Sequence, residues 1–188
     1  MALGWLYYCL PRKFGRTMKN KTDFKVGDKI IDFGQVYEIF KVEEKENADG
    51  EKEKVICFKP FFETNHNKSL ICSIPVESIG LTHIRKPISK ERSKALLKEL
   101  SEEPETRKPI NIKAVKDVLN QDDLPRTVEV LKGMWFDKND ELTSSTKAKK
   151  DIFAFAVMRI AEEVAFVENI SVPEAKERIK KALEKLKI

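Results

Sequence analysis

The sequence predicts an α+β chain: a small antiparallel β module followed by an all-α module of about five helices. Two observations carry this. Between Phe24 and Pro87, short apolar runs alternate with tight-turn signals. From Ser89 to the end, apolar residues recur at helical spacing.

The 188 residues suffice for one large or two small domains. We divide them into a basic extension (1–22), a β module (23–87) and a helical module (88–188). Residues 1–22 hold Arg12, Lys13, Arg16, Lys19 and Lys21 and no acid, so the whole net charge of +5 sits there and the rest is neutral. A DNA site on the body must therefore come from local clustering rather than overall charge. The run Met1–Leu10 is too short to span a bilayer, and its basic residues follow the apolar stretch where a signal peptide would put them first. Residues 1–22 are expected to be disordered, with Met18 as an alternative start. Charged residues of both signs make up 36% of the chain, which argues for a soluble protein rather than a membrane protein.

In the β module, Phe24 and Val26 alternate with polar residues before Gly27-Asp28 turns the chain. Ile30-Ile31 lead a second strand that breaks at Phe33-Gly34. A longer strand follows from Val36 to about Glu44, and Asp49-Gly50 is a hairpin turn signal, because both residues tolerate positive φ. The return strand, Val55 to Lys59, has an unbroken apolar core that implies burial on both faces, and Pro60 ends it. Asn65-His66-Asn67 turn the chain into a last strand, Leu70 to Ile74. Short strands and tight turns over some sixty residues predict an SH3-like or Tudor-like barrel.

In the helical module Ser89 caps a helix running to about Glu102, and residues 104–109 break it. Asn111 caps a second helix through Ile112, Val115 and Leu119, and Asp122-Asp123 start a third carrying Leu124, Val128, Leu131 and Trp135 on one face. Residues 143–146 cap the longest helix, Lys147 to about Glu168, whose broad stripe from Ile152 to Val167 is expected to be central. Ser171-Val172-Pro173-Glu174 is a capping box for the last.

Catalytic signatures are missing: there is no Gly-rich phosphate loop, Ser-His-Asp set or HExxH. Glu162 and Glu163 are neighbours on a helix and point in different directions, so they do not form a catalytic pair. His66, His83, Cys57 and Cys72 match no usual zinc spacing. No enzyme activity, metal or cofactor is expected. Three cysteines without CxxC spacing fit a reduced cytoplasmic compartment.

With the helices placed, the chain resembles the CarD family (CarD/CdnL) of bacterial RNA polymerase-binding transcription regulators, whose N-terminal Tudor-like module also occurs in the transcription–repair coupling factor. The resemblance is carried by FKVGDKII at 24–31, GEKEKVICFK at 50–59, LICSIPVESIGLTHIRKPI at 70–88, DDLPRTVEVLKGMW at 122–135 and IAEEVAFV at 160–167. It implies that the β module binds the polymerase β subunit and that the helical module contacts promoter DNA weakly, without sequence specificity, modulating open-complex stability. The protein would act as a cytoplasmic monomer away from membranes.

Polymerase contacts would then fall on Lys45 and Ser73, at positions where the family often has arginines. Lys45 keeps the charge but lacks the bidentate fork. The family's Pro-x-His-Gly turn is here Asp32-Phe33-Gly34-Gln35. Its DNA-wedging tryptophan aligns near Arg107 or Lys108, where no aromatic stands. Arg107, Lys108, Lys113 and Lys150 are the candidate DNA contacts, through phosphate. Set against this are solvated faces with acidic neighbours such as Glu102, Glu103 and Glu105, and an adaptor of the same fold that has lost DNA contact.

Overall fold

The computed structural model describes residues 24–46, 50–104, 111–139 and 146–186. Strands β1 (Lys29–Asp32), β2 (Gln35–Glu46), β3 (Lys52–Pro60) and β4 (Cys72–Pro75) form one antiparallel sheet in chain order. A 3-10 turn (Val76–Leu81) follows, then α1 (Lys90–Ser101), α2 (Ile112–Leu119), α3 (Leu124–Asn139), α4 (Lys147–Glu168) and α5 (Val172–Leu183). The chain is α+β.

β1 and β2 meet in a two-residue turn, with Asp32 opposite Gln35. Phe33 and Gly34 both take positive φ (49° and 72°), the backbone a tight hairpin needs to match strand twist. A bulge between Ile39 and Lys41 interrupts the β2–β3 register, which resumes and continues to Glu46 opposite Lys52. Gly50, the visible half of the second turn signal, also has positive φ; Asp49 lies outside the described residues.

β3 is buried on both faces from Val55 to Phe58. Ile56 and Phe58 join Phe24, Ile30, Tyr37, Ile39 and Ile79 in one apolar cluster, so alternation turns Val55 and Cys57 to the opposite face. After the 3-10 turn, Ile31 and Arg85 exchange backbone hydrogen bonds of 2.8 and 3.1 Å. The chain thus returns from β4 at one edge of the sheet to β1 at the other.

Two strand expectations are corrected. Phe24 is buried, but Val26 sits exposed in a turn rather than in a strand. The Asp28 carboxylate accepts from Lys25 N–H at 2.9 Å, bending this segment before alternation can act. β4 begins at Cys72, not Leu70, because Leu70 N–H is taken by Asn67 C=O, which prolongs the preceding turn.

Each helix starts where a short polar side chain meets a free N–H. Ser89 accepts from Arg92, Asn111 from Lys113 and Ala114, Asp123 from Arg126, Thr146 from Lys149 and Ser171 from Glu174. α1 ends on Lys132 of α3, whose Nζ donates to Glu99 and Glu102 C=O at 2.8 and 2.9 Å, a cation at the negative end of the helix dipole. Asn169 closes α4 in the left-handed conformation.

α4 is the hub and packs against all four other helices and β2. Ile152, Ala156, Ile160 and Val164 anchor a second apolar cluster with Leu96, Leu100, Leu131, Ile179 and Leu183. Trp135 packs in this cluster against Phe153. Among the described residues no helix is long and apolar enough to cross a membrane.

Candidate functional site

Lys45 and Ser73 lie on the same face of the sheet. Ser73 pairs with Cys57 and Cys57 with Lys41, and Lys41, Glu43 and Lys45 alternate along β2. Four residues along and two strands across, Lys45 and Ser73 are roughly 17 Å apart. The face between them carries Glu43, Val55, Cys57 and Pro75. Lys45 bonds to Glu43 at 2.8 Å, and Lys41 bonds to the same carboxylate. These two hydrogen bonds, from Lys41 and then Lys45, hold the Glu43 pKa down to about 2. An acidic partner must therefore compete with Glu43 for Lys45. Cys57 Sγ donates to Glu43 at 3.6 Å, and burial followed by that bond raises its thiol pKa, which leaves it an inert thiol. Ser73 is exposed on β4, which among the described residues pairs only with β3.

The candidate DNA contacts divide. Arg107 and Lys108 lie outside the described residues. Lys113 is exposed near the start of α2 and Lys150 near the start of α4. Lys149 is not a free cation: it pairs with Asp137 of α3 at 2.7 Å. Between α2 and α4 runs a groove of about 450 Å³, lined by Lys116, Leu119, Asn120, Ala148, Asp151, Ile152 and Phe155. Helical geometry sets Lys113 on the Lys116 side of α2 but turns Lys150 roughly 140° away from Phe155, off this groove.

α4 packs against β2 at the end of the strand away from Lys45. Here the structure brings together residues that sequence reasoning left apart. Glu163, 1% exposed, accepts from Arg85 Nη1 and Nη2 at 2.6 and 2.7 Å and from Ile88 N–H at 2.9 Å. Glu162 accepts from Val36 N–H at 3.2 Å. The two glutamates do point apart, yet both clasp the β module. Arg85 Nε also faces Asp122 at 3.6 Å. Arg159, 9% exposed, lies with its guanidinium 5.1 Å from the Phe33 ring and 4.7 Å from the Phe155 ring. Its Nε and Nη1 meet no hydrogen-bond acceptor among the described residues. The one signal for this junction in the sequence is charge inside the apolar stripe of α4, where residues 159–165 are buried without a break. Charges on a helix buried all round must find partners.

Burial sets the protonation behaviour of the junction. It raises the pKa of Asp32 against the pull of His83 and Arg159, and that of Asp122 against Arg85 and Arg159. It raises Glu162 as well, opposed by the Val36 N–H. At Arg85 burial works downward, but the Glu163 hydrogen bonds and the Glu163 and Asp122 charges outweigh it and lift the pKa. For an acid whose folded pKa lies above its unfolded value, the stability it contributes is present below the unfolded pKa and lost as pH rises through the folded one. Glu43 and Glu91, both lowered, act in the opposite sense, but only below the ordinary glutamate value of 4.5. The unfolding free energy is therefore expected to be higher at about pH 5 than at about pH 7.5, with Asp122→Asn and Glu162→Gln each flattening the difference. Urea titrations at the two pH values check this, and a slope unchanged in both variants would refute it.

Among the described residues no group of three or more His, Cys, Asp or Glu side chains is placed to hold a metal ion. No family model matches the sequence, and no curated protein is similar to it.

Proposed function

We propose that this chain is a cytoplasmic bacterial transcription regulator that binds the RNA polymerase β subunit through its β module and modulates open promoter complex stability. The module is read as Tudor-like, on the strength of strand order and the return of the chain through a 3-10 turn to β1. The observation that carries the reading is β4, a short outer strand with Ser73 exposed, beside a face that also bears Lys45. A partner strand can add to such an edge through backbone hydrogen bonds, with neighbouring side chains giving specificity. The helical module, fixed on the same sheet by α4, would then touch promoter DNA weakly, and the shared assembly raises the effective concentration of that contact.

A second reading, a protein-binding adaptor of the same fold without DNA contact, is favoured by the serine at 73 and by the lack of an aromatic at 107–108. Open-complex lifetime separates the two: the regulator changes it and the adaptor does not.

The test is binding of the full chain to purified polymerase from the same source and to its isolated β-subunit lobe. A dissociation constant on the roughly micromolar scale is expected, weakened by Lys45→Glu. Lys45→Ala belongs beside it, since Lys45→Glu also sets a second carboxylate next to Glu43. No binding at tens of micromolar, well above that scale, would overturn the reading.

A further inference from the structure

Phe155 is 47% exposed on a helix whose other large apolar side chains are packed away. One side of its ring is covered by the Arg159 guanidinium, itself buried and set against Phe33. The ring is therefore held in place from behind while much of its surface remains in solvent at the end of the α2–α4 groove. Lys116 lines that groove, and helix geometry sets Lys113 on the same rim of α2 and Lys147 one turn before Asp151 on α4. None of the three makes an ion pair among the described residues. The volume falls within the ~300–1,000 Å³ typical of small-ligand sites.

A fixed aromatic surface beside several lysines is the chemistry that takes single-stranded nucleic acid: a base stacks on the ring while the flanking phosphates meet the lysines. We propose that the α2–α4 groove binds an unstacked base of single-stranded nucleic acid on Phe155, with Lys113, Lys116 and Lys147 on the adjoining phosphates. This deepens the regulator reading and rests on it, since an open promoter complex presents unpaired bases. Asp151 also lines the groove; a carboxylate there repels phosphate and is suited to accept from a base's exocyclic amine. Bases with such an amine, adenine, cytosine and guanine, are preferred over thymine. Asn120, on the α2 wall, serves either edge.

The experiment is fluorescence anisotropy with the full chain and three labelled probes: a short oligodeoxyadenylate, an oligothymidylate of equal length and a duplex of equal length. Residues 1–22 add a salt-dependent background common to every variant. Single strands are expected to bind more tightly than the duplex, and adenylate more tightly than thymidylate. Phe155→Ala and Phe155→Leu are expected to weaken single-strand binding about tenfold, with Phe155→Trp restoring it. Lys116→Ala is expected to lower the salt slope by about 0.7. Asp151→Asn is expected to erase the base preference. Equal binding by Phe155→Leu and the parent chain would overturn the proposal. So would tighter binding to duplex, or displacement of the probe by polyglutamate as readily as by unlabelled oligonucleotide. Polymerase binding is measured on the same variants. If it persists while the oligonucleotide arms fail, the groove proposal falls and the regulator reading stands. If it is missing in the parent chain, the regulator reading falls first.

Discussion

Replacing Glu163 by alanine is expected to destabilise the fold by about 3–5 kcal/mol, the range for breaking a buried ion pair by removing one partner. Glu163 is the most buried charged side chain among the described residues. It is 1% exposed, and both carboxylate oxygens are engaged, by two Arg85 nitrogens and the Ile88 N–H. Alanine would leave the Ile88 N–H without its acceptor and strand a guanidinium whose other acid, Asp122, stands at 3.6 Å. Glu163→Gln keeps an acceptor for Ile88 and is expected to lose about half as much, because a neutral hydrogen bond is roughly half as strong as a charged one. A cycle with Arg85→Ala should return a coupling of about 2 kcal/mol or more. The exposed pair Lys59–Glu63 at 3.4 Å is the control, and Glu63→Ala should stay within about 0.5 kcal/mol of the parent chain. Urea unfolding followed by far-UV circular dichroism reads all four. A loss below about 1 kcal/mol for Glu163→Ala would mean that the clasp adds little to the apolar packing around it.

Those same residues mark the limit of what the sequence discloses. Ser89, Asn111, Asp123, Thr146 and Ser171 announce their helices because a cap acts within three residues. Phe33-Gly34 announce a turn for the same local reason. Arg85 and Glu163 stand 78 residues apart, and Val36 and Glu162 stand 126 apart. No periodicity links such pairs, and an acid on a helix otherwise reads as a solvated face. The groove was hidden differently. Lys113 and Lys150 are legible as exposed cations, but which of them shares a wall with Phe155 depends on how α2 lies on α4, which tertiary packing sets. Lys45 was legible as a charge on a strand, and alternation along β2 sets Glu43 two residues away on the same face; that the two side chains meet is shown only by the structure.

Gly34→Ala is expected to be the most damaging single methyl that can be added to the β module, at about 3 kcal/mol or more. Two effects add. A residue with a Cβ held at left-handed φ (72° here) loses about 1–2 kcal/mol. The new Cβ would also stand 2.5 Å from Arg159 O and 2.8 Å from Arg159 Cα, inside any real contact distance. Both atoms are backbone, at the start of the stretch of α4 that is buried without a break, so they cannot easily yield, and overpacking of this kind costs about 1–3 kcal/mol. Gly50→Ala separates the two effects: φ is also positive (78°), but nothing among the described residues lies within 4 Å, so only the first applies. The difference between the variants measures the approach of the hairpin to α4, and equal losses would mean that the approach is not close. The relief open to Gly34→Ala is to lift the turn off the helix. That withdraws Phe33 from Arg159 and Val36 from Glu162, and leaves the Phe155 ring without the support behind it. Full unfolding is therefore not the only readout. At a temperature where Gly34→Ala is still folded, its single-strand binding should fall with that of Phe155→Leu, while Gly50→Ala binds as the parent chain does.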